Sequence, residues 1–521
     1  MKRSGFFLFV IAMTLMIGAM AEEAGYPANI LSKLPGDAVA AVVCPSLKVL
    51  ESQGDQFVKL PGLADGIPGL PKSMNALAQD LAKELELEGI KDFPGLGKSL
   101  GLDPGRPVVV FAFKDAQHLG FVFPVASQEK AEKTLAVKPK GEAKDTPLGV
   151  GDITAKFKET AGFGYFFKDG YAFAGDSVDG LKAMADALAA PRAVRCGSAE
   201  FPVADKSELL VFADLKNLNL ESLPPFLAPA KPALLGLVPA YDEGVLGVKM
   251  NGSALNLRMA GHSASGAYAE LPPLQYPGFF SESGAAMVAL RLTKELKEFI
   301  GQQIAAWVTD PNAGTQIKGI YTGLSNYLGE EIAVSVTSAD EKAPNFLGCI
   351  SAVNPSPLMT LLSLAKFAAQ PAQPDQPQIS VAKDLLGVPI YAMNAQDKIV
   401  VGVDEAKIKG MAGAKPAGAP VGISPDILKR AGYGFLYIDG ARGLQVASEL
   451  SGVALPADAA KAGNLTLTLE QYGTWRQAAL NVSNAGPIAA MLGNAFAKPK
   501  PAPAPAPAAS HTQVRFAKTV K

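Results

Sequence analysis

The residues whose types and spacing could do chemistry are a serine-rich turn, two lysine-bearing near-motifs and three histidines. Gly261-His262-Ser263-Ala264-Ser265-Gly266 is one residue from a nucleophile elbow, with Ser265 where the second glycine belongs. That elbow works because a strand turns sharply into a helix and lifts the hydroxyl clear of the sheet. Here a strand is expected to run into a segment ending in Pro272-Pro273, and the general base would have to be His118 or His262, since His511 lies in the tail. Gly97-Lys98-Ser99 resembles the close of a phosphate-binding loop, but Asp92 stands where the first glycine is required and would repel phosphate. Ser127-Gln128-Glu129-Lys130 has the Ser-x-x-Lys spacing that places a lysine one helical turn from a serine nucleophile, without the companion Ser-Asp-Asn and Lys-Thr-Gly elements. Ser127 reads better as a helix N-cap.

Metal and acid–base chemistry find no better footing. There is no His-x-x-x-His or Cys-x-x-Cys spacing for zinc, and Asp176-Ser177-Val178-Asp179-Gly180 lacks the spacing and closing glutamate of a calcium loop. Glu330 and Glu331 are adjacent on an expected strand edge, so they are expected to point to opposite faces, which makes them poor candidates for shared acid–base work. Asp214 and Asp439 each follow a strand at matching places in the chain, where a carboxylate is expected to cap the following turn. Trp307 and Trp475 do not occupy matching places, so they form no shared stacking platform. No residue is therefore assigned as catalytic, cofactor-binding or metal-ligating, and no cofactor is expected.

The elements that would position these residues are written twice. Leu100-Gly101 with Val108-Val109-Val110-Phe111 returns as Leu328-Gly329 with Ile332-Ala333-Val334-Ser335. Leu148-Gly149-Val150 returns as Leu386-Gly387-Val388. Gly175, Lys182 and Met184 return as Gly402, Lys409 and Met411, and Leu210 to Asp214 returns as Phe435 to Asp439. In each half a strand opens the plan, at Val39 to Cys44 and at Ala286 to Leu292, and a helix follows; Thr293 can cap the second. Leu296, Phe299, Ile300, Ile304, Trp307 and Val308 recur at helical spacing. Paired strands come next, and each half closes in a hairpin, one turning at Asn251-Gly252 and the other at Tyr472-Gly473.

Single helices between antiparallel strand groups define an α+β class, expected as a tandem duplication of two similar domains, each a curved antiparallel sheet with helices packed on one face. The expected division is a signal peptide at 1–21, a first repeat domain at 22–262, a linker at 263–277, a second repeat domain at 278–497, and a Pro/Ala-rich disordered tail at 498–521. The leader reading rests on Lys2-Arg3, the weakly polar to apolar run Gly5 to Gly18, and small residues in Ala19-Met20-Ala21. No later run approaches ~18 unbroken apolar residues, so no transmembrane segment is expected after cleavage.

Hydrophobic content of 48% and charged content of 19% allow real cores, and a net charge of -1 argues against nucleic acid as partner. Three scattered cysteines, Cys44, Cys196 and Cys349, do not make a disulfide framework. Leu34-Pro35-Gly36-Asp37-Ala38, running into Val39 to Val43, resembles exported bacterial proteins of unknown function that open with a Leu-Pro-x-Asp-Ala phrase after the signal peptide. The resemblance implies export and no particular activity. The function expected is a non-enzymatic binding or structural protein, periplasmic or secreted, whose partner is an envelope component or a protein. The alternatives are an envelope hydrolase assembled from distant loops and a carrier of a lipid or other hydrophobic ligand.

Overall fold

The computed structural model describes residues 28–60, 71–84, 87–114, 118–137, 142–191, 209–217, 241–263, 265–266, 271–281, 284–294, 296–298, 321–323, 325–338, 345–364, 367–370, 378–383, 388–395, 397–416, 418–420, 423–451 and 453–496. The expected leader and tail, Trp307, Cys196 and His511 lie outside them, as does most of the helix expected after Thr293.

Among the described residues, twenty strands form one antiparallel sheet. In the first half they are β1 (Ala38–Cys44), β2 (Val108–Phe113), β3 (Leu119–Pro124), β4 (Lys144–Pro147), β5 (Thr154–Lys158), β6 (Phe163–Lys168), β7 (Tyr171–Gly175), β8 (Leu209–Asp214), β9 (Tyr241–Asn251) and β10 (Ala254–Ser263). In the second they are β11 (Ala286–Arg291), β12 (Leu328–Ser338), β13 (Asn345–Ala352), β14 (Ala368–Ala369), β15 (Ile379–Ala382), β16 (Ile390–Ala395), β17 (Lys398–Gly402), β18 (Gly434–Ile438), β19 (Leu465–Tyr472) and β20 (Trp475–Val482). The first half pairs in the order β4-β5-β6-β7-β3-β2-β1-β8-β9-β10. The second pairs as β14-β15-β16-β17-β13-β12-β11-β18-β19-β20, the same path with every strand number raised by ten.

The two paths meet at β10 and β20, which pair antiparallel from Leu255 opposite Val482 to His262 opposite Trp475. Gly473 lies 221 positions after Gly252, and each opens a two-residue hairpin loop at positive φ, +55° and +62°. Glycine at the first central position with φ positive is the type II′ arrangement, which matches the strands' right-handed twist. The Asn251-Gly252 signal thus marks the turn, with Gly252 and Ser253 as the loop itself. With the same spacing, Arg258 corresponds to Ala479, and these two face each other in the ladder. The join is self-complementary about that pair, as a two-fold interface between like strands is. It also gives each half's last strand a partner, removing two exposed sheet edges.

The one-face covering expected of the helices is not what forms. Strand side chains alternate between faces. Ala41, Val43, Val109, Phe111, Leu210 and Phe212 point into a core closed by Leu181, Met184 and Ala185 of helix Val178–Ala189. Their neighbours Val42, Val108, Leu209 and Val248 point the other way, under helices Leu47–Val58, Met74–Glu84 and Phe93–Ser99. The second half repeats this: Ile408 of helix Glu405–Gly410 packs on Ala289, Ala333 and Val400, and Leu358 of helix Pro355–Leu364 packs on Ala352 and Ile399 behind them. The physical reason is in runs such as Val-Val-Val-Phe-Ala-Phe at Val108–Phe113. Consecutive apolar residues leave both faces of a strand apolar, so both need a cover.

Candidate functional site

At the join, one face of the sheet carries an apolar row with a cavity above it. Cross-strand partners Val211, Leu246, Met259, Ala478 and Leu469 run from β8 through β9, β10 and β20 to β19, all on the same face. A cavity of about 480 Å³ lies on this row, within the ~300–1,000 Å³ usual for small-molecule sites. Leu246 and Met259 are 38% and 51% exposed, so the floor is open to solvent. On the same face, the next rows toward the Asn251-Gly252 turn bury Met250 and Val482 under Leu60, Ala485 and Ala489, the latter from helix Gly486–Phe496.

Two glycines shape one wall. Gly244 and Gly261 are ladder partners, and Leu215 lies against the first while the Tyr241 ring lies flat on the second. A Cβ on Gly261 would stand 2.6 Å from the Tyr241 ring. Gly261→Ala is expected to cost about 1–3 kcal/mol of stability through overpacking and to displace Tyr241, a shift that near-ultraviolet circular dichroism and urea unfolding would register. The opposite wall comes from the second half: Leu290, Thr293, Leu296 and Tyr433.

The charges near the cavity are arranged unequally. The Arg476 guanidinium lies 4.6 Å from the centre of the Tyr433 ring and donates to the Tyr433 hydroxyl at 2.5 Å. Buried Arg291 donates to the carbonyls of Gly432 (2.9 Å) and Pro272 (2.6 Å) and sits 3.4 Å from Glu330 and 3.6 Å from Glu331. Glu331 in turn accepts from the backbone N–H groups of Gln275 and Tyr276, fixing residues expected in the linker to β12. Leu274 and Tyr276 are buried there, and burial pushes the Tyr276 hydroxyl pKa up. Glu470 is turned to the other face of β19, where it accepts from Thr468 (2.5 Å) and Gln477 (3.1 Å).

The sequence-derived candidates fall elsewhere. His262 is 1% exposed on β10, its Nδ1 2.6 Å from Asp242 Oδ1 and its ring edge-on to Trp475. Ser263 Oγ lies 3.0 Å from Ser265 Oγ, and the Ser265 N–H donates to Ser263, so this is a serine turn at a strand end rather than an elbow. A β-bulge between His262 and Ser263 displaces Asp242 from the ladder, placing its carboxylate beside His262, and sequence spacing could not show it. His118, at the start of β3, pairs with Asp176 at 3.1 Å on a part-exposed surface. Ser127 accepts from the Lys130 N–H as an N-cap does, at 3.5 Å. Gly97-Lys98-Ser99 ends a helix capped by Asp92, which accepts from Gly95, so its N–H groups serve helix bonds. Asp214 accepts from Asn217, and Asp439 from the Arg442 N–H, both as turn caps. Glu330 and Glu331 do diverge, 82% and 10% exposed, yet both reach Arg291.

Among the described residues, no cluster of three or more His, Cys, Asp or Glu could hold a metal, and no helix is long and apolar enough to cross a membrane. Cys44 and Cys349 are buried free thiols, each pushed up to about 12 by burial. Because the folded pKa exceeds the unfolded one, their stability contribution holds below about pH 9 and is lost as pH rises toward 12. Both are expected to resist iodoacetamide at pH 8 in the folded protein and to react in urea, read by peptide mass spectrometry.

Fold and site together define a class: an α+β protein with a long antiparallel sheet and an apolar cavity at the join of its two strand paths. No family model matches the chain, and no curated protein matches it. Among solved structures the chain is similar to crystal forms of TP0453. Form I has a TM-score of 0.24 at 8% identity, covering 44% of this chain and 77% of that one. Form III gives 0.26 at 8%, covering 53% and 86%, and form IV gives 0.25 at 10%, covering 44% and 79%. At these scores the likeness carries neither fold nor function to this chain.

Proposed function

We propose that this is an exported, non-enzymatic binding protein of the cell envelope, built by tandem duplication, and that it holds an apolar ligand in the cavity at the join. The repeated strand order and the matching hairpin turns support the duplication. The observation that carries the binding reading is the cavity on the open apolar row Val211–Leu246–Met259–Ala478–Leu469. Large, part-exposed apolar surface is tolerated where a ligand or partner covers it. The hydrolase alternative would use a His–acid pair, but His262 is sealed by Asp242 and Trp475, away from the cavity lining.

The test is to purify the protein from its native envelope and identify co-purifying lipids, glycans and proteins by mass spectrometry. A stoichiometric apolar ligand is expected. A ligand-free protein that turns over ester or glycan substrates would overturn the proposal.

A further inference from the structure

We infer that the ligand is an uncharged molecule with a single alkyl chain of about fifteen carbons, lying across the strands of the join. The inference rests on the cavity reading and adds the shape and charge of the occupant. The floor Val211–Leu246–Met259–Ala478–Leu469 crosses five strands, ~19 Å at the usual strand spacing of ~4.8 Å. Carbon–carbon bonds of ~1.5 Å in an extended zigzag advance ~1.25 Å each, so ~15 carbons span the row. Along the strands the trough is narrow, because same-face rows lie only ~7 Å apart. On one side the Gly244–Gly261 row is filled by Leu215 and the Tyr241 ring, with Arg476 opposite Gly261. On the other, Val248 and Leu480 of the next row pack into neighbouring cores. The width left between these walls is that of one floor side chain, which admits one alkyl chain.

The charged residues of the lining argue against an ionised head, because each is already held by protein groups. Arg291 donates to the carbonyls of Gly432 and Pro272 and stands against Glu330 and Glu331. Arg476 stacks on the Tyr433 ring and donates to its hydroxyl. Glu470 has its carboxylate on the opposite face with Thr468 and Gln477, 3.9 Å from Arg430. The Thr293 hydroxyl accepts from the Leu296 N–H. Both ends of the row are apolar, Val211 and Leu215 at one, Leu469, Leu290 and Leu296 at the other. An ion entering this trough would lose its water, and would gain a partner among these groups only by breaking a contact already made. An uncharged chain has no such cost and gains from every methylene it buries.

The experiment reads displacement of an apolar fluorescent dye from the full-length protein at about pH 8, where carboxylates are ionised. Straight-chain alcohols are expected to bind more tightly with each added methylene up to about fifteen carbons and to level off there. Dodecanol is expected to bind at least tenfold tighter than dodecanoate or dodecylammonium, each corrected for its partition into phosphatidylcholine vesicles. Ala478→Phe raises a ring in the fourth strand of the row, leaving two strand spacings of floor, and should move the levelling-off to about eight carbons. Either ion within threefold of dodecanol, or tighter, would overturn the uncharged-ligand inference while leaving the cavity reading intact. Levelling-off at ten carbons or fewer in the wild-type protein would overturn the placement across the strands. If no alcohol displaces dye from the wild-type protein, the cavity reading fails, and this inference with it. If Ala478→Phe unfolds, the wild-type chain-length and head series still decide.

Discussion

Replacing Trp475 by alanine is expected to lower the unfolding free energy by about 3–5 kcal/mol, the range for emptying a buried aromatic site. Trp475 is the first residue of β20, in the second half of the chain, yet its ring is fully buried in the core built by Ala41, Val43, Phe111, Phe212 and Val245 of the first half. It reaches that core because β20 pairs with β10, which sets Trp475 opposite His262. The ring therefore stabilises one half and ties it to the other. Urea unfolding of the wild-type protein should be one cooperative transition across the join, and Trp475→Ala should separate it into two. Phe435→Ala, which empties a site inside the second half's own core, should cost a similar amount without that separation. A loss below about 1 kcal/mol for Trp475→Ala would mean the ring is not part of a shared core.

The second large effect concerns binding. Met259→Trp places an indole over the cavity floor at a side chain that is already half exposed. Displacement of an apolar dye should weaken at least tenfold. Stability should change by no more than about 0.5 kcal/mol, because an exposed substitution removes no buried contact. Leu246→Asp, on the neighbouring strand of the same row, should weaken binding by a different route: an uncompensated carboxylate on the floor costs about 1–3 kcal/mol when a chain covers it. Dye affinity unchanged within twofold in both variants would remove the cavity from consideration as the site.

Much of the architecture was legible in the residues. Alternating and continuous apolar runs placed the strands within a residue or two, as at Val108–Phe113 and Trp475–Val482, because side-chain period and β-branching are local properties. Serine before a helical run marked a real cap at Ser127, since capping depends on three or four neighbouring residues. The candidate site was not legible. Val211, Leu246, Met259, Ala478 and Leu469 are ordinary apolar strand residues, and they become a floor only through the register of four ladders spanning more than 250 positions of sequence.

The same distinction separates the motif residues from their roles. By itself the sequence determined the α+β class, the two-fold recurrence of its patterns, the hairpin turns, and the weakness of each catalytic near-motif, because all of these follow from composition and short-range spacing. Only the tertiary structure decided that β10 meets β20, that helices cover both faces, that Trp475 fills the other half's core, and that Asp242 seals His262. Those outcomes depend on which strand edges find each other, and edge pairing is settled by long-range register and burial, which no local run of residues encodes.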